Sequence, residues 1–194
     1  MKHLFGFGAK IDALIERFLP MREHFLLWST WEWEHWRRKN GIYQLIDEWT
    51  ESNVCTDQGL TDVLGVYFSG DTQKTVWYIA VFEDNYTPLI TNTYAIPGFT
   101  ECTAYDEATR PAWSEAGAAA KAISNAASKA SFTFNDTKTI YGGSLVGGGT
   151  DGNTKGNTGG GGTLFCSSLF SSGSKAVIST DILKVSVALS VSDT

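Results

Sequence analysis

Cysteine, proline, methionine and histidine are all scarce in this chain of 194 residues, with three, four, two and three copies. Cys55, Cys102 and Cys166 are odd in number and far apart, which excludes a dense disulfide framework and a CxxC zinc or redox site. The natural reading is three free thiols in a protein folded in a cytoplasm. All histidines (His3, His24, His35) precede residue 36, and neither GxSxG nor HExxH occurs, so the sequence spells no hydrolase triad and no zinc-hydrolase site. Charged residues are 19% of the chain. Even so, no apolar run approaches the ~18 residues of a membrane helix, and Asp12, Glu16 and Arg17 interrupt any secretory apolar segment.

Basic residues are also in deficit: Lys and Arg number 15 against 21 Asp and Glu, for a net charge of -6. No duplex-sized basic surface is visible, so nucleic acid is not an expected partner. Residues 1–50 balance Lys2, Lys10, Arg17, Arg22, Arg37, Arg38 and Lys39 against Asp12, Glu16, Glu23, Glu32, Glu34, Asp47 and Glu48. The whole net charge therefore lies after residue 50, whereas five of the seven tryptophans (Trp28, Trp31, Trp33, Trp36, Trp49) lie before it.

What is abundant is glycine, aromatic side chains and short apolar runs. Ile11, Leu14, Ile15, Phe18 and Leu19 fall on one face of a helix that Pro20 ends. So short a helix is marginal alone and must dock, on its own domain or as an arm on a neighbouring subunit. Residues 1–22 are read as this arm and residues 23–194 as a β-domain. From His24 to Arg38, Trp31 and Trp33 alternate with Glu32 and Glu34, which predicts a strand whose tryptophans fill a core or, with Trp28 and Trp36, form a subunit contact. Asn40-Gly41 is a turn signal, and Ile42, Leu45, Ile46 and Trp49 predict a second helix near 42–51. Strands are expected over Val63–Phe68, Thr75–Phe82, Ala130–Asn135, Thr139–Val146, Thr163–Phe170 and Ile182–Val191. The last alternates Leu183, Val185, Val187, Leu189 and Val191 with Lys184, Ser186, Ala188 and Ser190, the pattern of a half-buried antiparallel strand. The polar connection 84–115 has room for one short strand, and the Ala-rich stretch 115–130 lacks an apolar face and reads as loop or strand. The expected fold is mainly β, an antiparallel β-sandwich or jelly roll.

Eleven of the 20 glycines lie in 142–162, which predicts an exposed, mobile hairpin loop. This tract lacks the GxxxxGK spacing of a phosphate loop, and Asp151-Gly152-Asn153 lacks the later ligands of a calcium loop. The adjacent carboxylates Glu83-Asp84 and Asp106-Glu107 read as solvated loop charge rather than a glycosidase pair, which needs separation across a cleft. Neither a catalytic residue, a cofactor nor a metal site is assigned.

Several words in fixed order suggest a family: Thr75–Phe82 (TVWYIAVF), Tyr86-Thr87-Pro88, Phe99–Trp113 (FTECTAYDEATRPAW), Asn125–Phe134, Thr139–Gly143, Gly162–Phe165 and Asp181–Leu183, with Trp36–Asn40 before them. Over residues 30–194 the chain resembles a small structural protein of tailed bacteriophages and prophages. The resemblance implies a non-enzymatic virion component with a β-sandwich on the head surface, decorating or cementing the capsid. The expected partners are the major capsid protein and further copies of the chain. The candidate contact residues, read from the pattern itself, are Ile11, Leu14, Ile15, Phe18, Leu19, Trp28, Trp31, Trp33 and Trp36. An alternative is a tail or head-fibre component that binds a host glycan through Tyr94, Tyr105 and Trp113; a hydrolase built on Asp106 and Glu107 is a third.

Overall fold

A computed structural model describes residues 25–193; the arm of residues 1–22, with Ile11, Leu14, Ile15, Phe18 and Leu19, lies outside the described residues. The chain is mainly β, and every strand pairing is antiparallel. It runs through β1 (Phe25–Lys39), β2 (Ile42–Ser52), β3 (Val54–Cys55), α1 (Asp57–Leu64), a π-type turn (Gly65–Ser69), β4 (Trp77–Phe82) and β5 (Ala122–Ser124). There follow β6 (Ala130–Thr133), β7 (Lys138–Ile140), β8 (Gly142–Gly148), β9 (Gly162–Leu169), β10 (Lys175–Val177) and β11 (Ile182–Asp193).

One sheet has the order β2-β1-β11-β5, with β6 also on β11; a second has the order β3-β9-β8-β4; β7 and β10 form a separate pair. The two larger sheets share one core. Trp31, Trp33, Leu183, Val185 and Val187 enter it from the first sheet, and Ile79, Val81, Leu145 and Phe165 from the second. Alternation along β1 sends Ser29, Trp31, Trp33 and His35 inward, and all four are buried. Trp33 stacks between Trp31 (5.8 Å) and Trp49 (6.0 Å), and Phe170 meets it edge-on at 5.0 Å.

The helix expected over 42–51 is instead strand β2. Asn40 (φ 52°) and Gly41 (φ 84°) both adopt the left-handed conformation that a two-residue hairpin turn needs, so the chain reverses and pairs Lys39 with Ile42. The register then shifts: Leu45 faces Trp36 and Asp47 faces His35, which leaves Ile46 as the extra residue of a bulge. That bulge breaks the period of two, and the apolar residues fall at a spacing that mimics a helix.

The converse correction applies to Val63–Phe68, expected as a strand. It belongs to α1 and the π-type turn. Thr56 caps α1, its Oγ1 accepting from Gly59 N at 3.0 Å, and Gly70 (φ 75°) ends the turn. Gly59 allows the helix to lie on β9, because a Cβ there would come within 2.6 Å of Phe165 O.

The glycine tract is not one loop. Gly142, Gly143 and Gly147 are buried inside β8. Aromatic rings fill the space their side chains would need: a Cβ on Gly143 would meet Trp33 and Trp31, and one on Gly147 would lie 2.5 Å from Trp77. Only 149–161 forms the β8–β9 connection, mostly exposed as expected.

Candidate interaction surface

The shared core does not close at the end where β1 begins. Beyond Trp31 the inward row of β1 continues to Leu27, which pairs with Val191 of β11, while Leu189 pairs with Ser29. Leu27, Leu189, Val191 and Ile123 line one wall of an apolar groove there; Trp77, Leu145 and Phe165 line the other, and Val63, Val66 and Tyr67 of the helical turn form its lip. The groove has a volume of about 470 Å³. Asp62 and Lys74 meet in an ion pair at its rim.

The lip extends onto the surface as Leu60, Val63, Leu64, Tyr67 and Phe68, all exposed, with Tyr67 81% and Phe68 77% accessible. These two rings pack edge-on at 4.9 Å but otherwise face outward. An apolar cluster of this kind marks an interaction surface more often than it marks a fold requirement. A second exposed group, Ile42, Tyr43, Leu45 and Ile46, lies on the edge strand β2.

The four tryptophans separate by face. Trp31 and Trp33 are core residues, buried among aromatic neighbours, and cannot reach a partner's surface. Trp28 is 40% exposed, and Trp36 is half-buried on the outer face of β1. Trp36 Nε1 donates to Glu34 at 2.8 Å, Glu34 pairs with Lys129 at 2.7 Å, and Lys184 lies over the Trp36 ring. Lys129 in particular holds the Glu34 carboxyl below the usual range. Of the described candidates, Trp28 is therefore the one most available for contact. The candidate glycan platform is absent as such: Tyr94, Tyr105 and Trp113 are all buried.

Those aromatics instead tie down the long connection 84–115. Trp113 Nε1 donates to Val187 O at 3.0 Å. Arg110, 3% exposed, grips both the connection and the glycine loop. Its guanidinium donates to Glu101 (2.6 and 2.9 Å), to Tyr94 OH (2.8 Å), and to the carbonyls of Gly152 (2.8 Å) and Asn157 (2.7 Å). Burial works against this charge, but the hydrogen bonds to Glu101 and Tyr94 outweigh it and raise the arginine above its usual value. The loop that composition suggested to be loose is thus fastened by a charged clamp.

Three of the four adjacent carboxylates have structural partners. Glu83 pairs with Lys138 at 3.1 Å, Asp84 accepts from Thr100 N, and Glu107 accepts from Thr133 N. Cys102 and Cys166 are buried, Cys55 is half-buried, and all three are free; burial pushes the Cys102 thiol up to about 11. Among the described residues no cluster of His, Cys, Asp or Glu could hold a metal ion. No described helix is long and apolar enough to cross a membrane. Compared with family models, curated proteins and solved structures, the chain matches none.

Sequence reasoning found the aromatic strand but not the groove. Leu27, Val63 and Leu189 lie far apart in the chain, and only the alternation of β1 and β11 hinted that their inward rows run past the last tryptophan. Tyr67 and Phe68 could have been noticed as the two large residues before Gly70.

Proposed function

We propose that the protein is a non-enzymatic structural component of a bacteriophage virion, decorating or cementing the capsid. In this reading the major capsid protein and further copies of the chain are its partners. Residues 1–22 act as an arm, and the β-domain supplies the outer body. The observation that carries the reading beyond the sequence resemblance is the apolar lip Leu64–Phe68, whose rings face outward at the end of the domain where β1 begins. A side chain such as Phe68 gains about 1.5–3 kcal/mol when a partner covers it fully, so a few of them suffice to hold a subunit on a repetitive lattice.

The buried aromatics and clamped loops give the domain a rigid frame suited to a particle surface, and the net charge of -6 lies wholly after residue 50. The test is particle incorporation. Deleting residues 1–20 is expected to abolish binding to the particle while the β-domain keeps its near-ultraviolet circular dichroism. Undiminished incorporation rejects the arm.

A further inference from the structure

We propose that Cys55 and Cys166 are an oxidisable pair, which exchange with a small disulfide closes into a bond between β3 and β9 of one chain. The two residues are partners in the β3–β9 register. Thr56 N, one position on, donates to Phe165 O at 3.0 Å, which makes Cys55 and Cys166 a non-hydrogen-bonded pair of the antiparallel ladder. At such a pair the Cα atoms lie about 4.5 Å apart and the side chains are at their closest, within the roughly 4.4–6.8 Å that a disulfide spans. Both thiols lie under β1: Cys55 Sγ reaches Leu27 O at 3.7 Å, and Cys166 Sγ lies 3.9 Å from Ser29 Oγ, two residues further along the same strand. The third cysteine does not compete. Cys102 lies beside β4, where its amide donates to Val81 O, and β8 and β9 stand between β4 and β3.

A polar neighbour is built around the pair. Asn53 Oδ1 accepts from Ser29 N at 3.1 Å, and its Nδ2 is buried without a full hydrogen bond. Burial raises both thiols, Cys166 well above its usual value, and the Asn53 amide opposes the rise at each sulfur. An N–H donor shared by two sulfurs favours the thiolate, the form that attacks a disulfide. The position also matters to the fold. β3 has two residues and the shortest ladder of its sheet, yet it carries the chain from the first sheet to the second. A bond there fastens this passage and closes a loop of roughly 110 residues.

Cys55 is half-buried and Cys166 fully buried, so an incoming disulfide R–S–S–R meets Cys55 first. The Cys55 thiolate attacks one of its sulfurs, the S–S bond breaks, and R–S⁻ leaves and takes up the proton that Cys55 lost. The Cys166 thiolate then attacks Cys55 Sγ, forming the protein disulfide and releasing the second R–S⁻, which takes up the proton of Cys166. Two protein thiols are oxidised and one small disulfide is reduced to two thiols. The inference concerns the domain alone and is independent of the particle reading. A chain folded in reducing surroundings gains the bond when it leaves them.

The test exposes the reduced full-length chain to oxidised glutathione below its melting temperature, quenches with N-ethylmaleimide and maps the peptides by mass spectrometry. The expected product is a monomer with Cys55 linked to Cys166 and Cys102 labelled as a free thiol, formed about tenfold faster at pH 8 than at pH 7 because both thiols titrate above that range. Cys102→Ser should leave this result unchanged, whereas Cys166→Ser should stop at a glutathione adduct on Cys55. The oxidised parent should melt about 5–10 °C above the reduced one, and dithiothreitol should remove the difference. Three free thiols after prolonged exposure, a glutathione adduct that persists in the parent, or a disulfide between chains would each overturn the proposal. So would a bond that forms only once the near-ultraviolet signal is lost, or an oxidised chain that melts no higher than the reduced one.

Discussion

The ring of Trp33 occupies the space in which a side chain at Gly143 would have to sit. A Cβ built on Gly143 lies 2.8 Å from both Cη2 and Cζ2 of Trp33, closer than carbon atoms pack. The two residues belong to different sheets, so this one contact sets how closely the sheets approach at the centre of the core. Gly143 has no positive φ, and the pairing of β8 with β4 and β9 on either side would suit any residue. The missing side chain is a matter of volume, not backbone freedom.

Gly143→Ala should therefore destabilise the protein by about 1–3 kcal/mol, the usual range for overpacking a core. Trp33→Phe should cost stability alone through lost aromatic area, yet recover part of the loss when combined with Gly143→Ala. Denaturant midpoints of the parent, the two single variants and the double variant give the coupling. Strict additivity would show that the strand shifts to admit the methyl group and that the contact does not set the spacing.

A second relationship fastens the last residues of β1 to the start of β11. Asp181, fully buried, accepts from Arg37 Nη2 at 2.6 Å, from Arg37 Nε at 2.9 Å and from Ile178 N at 3.0 Å. His35 Nε2 lies 2.8 Å away and, against a carboxylate oxygen, must donate. Burial alone would raise the Asp181 carboxyl, but the bonds from Arg37, Ile178 and His35 outweigh it and hold the group below the usual aspartate range. A carboxylate lowered in this way stabilises the folded chain at neutral pH, and the contribution disappears as pH falls from about 4 through the lowered folded value. Asp181→Asn should cost about 1.5–3 kcal/mol at pH 7, the range for hydrogen bonds to a charged group, because Arg37 is partly exposed and water can replace part of the lost pairing. The gap between parent and variant should close below pH 4. Thermal melts from pH 3 to 8 check this, and a gap independent of pH would mean that the charge of Asp181 contributes nothing.

Part of the sheet structure was legible because a strand such as β11 turns one face to water, whereas β4, β8 and β9 are largely buried on both. β11 announced itself through five inward apolar residues alternating with polar ones, and TVWYIAVF contained all of β4. Where the pattern misled, a local irregularity had broken it. The bulge at Ile46 gave β2 a helical spacing, and the cap at Thr56 started a helix whose few apolar residues resembled the start of a strand. The glycines of β8 carried no apolar signal at all, because the hydrophobic material at those positions comes from Trp33, Phe82 and Trp77 on other strands. The candidate surface was harder still to read. Exposure of Tyr67 and burial of Tyr94 follow from what covers each ring, which no local spacing encodes.

Arg110 links two segments that composition alone would leave loose. Its partners lie in the 84–115 connection (Tyr94, Glu101) and in the 149–161 connection (Gly152, Asn157), and Glu101 also accepts from Gly156 N at 2.9 Å. The planar fork satisfies four directions at once, which an ammonium group cannot reproduce. Arg110→Lys should therefore behave almost as Arg110→Ala, each costing about 3 kcal/mol because Glu101 is left buried without its bidentate partner. The loss should be local first: limited proteolysis should cut within 149–161 in both variants while the parent resists, and the Trp31–Trp33–Trp49 stack should keep its near-ultraviolet signal at moderate temperature. Full resistance of Arg110→Lys would mean that a point charge is sufficient and that the fork geometry is incidental.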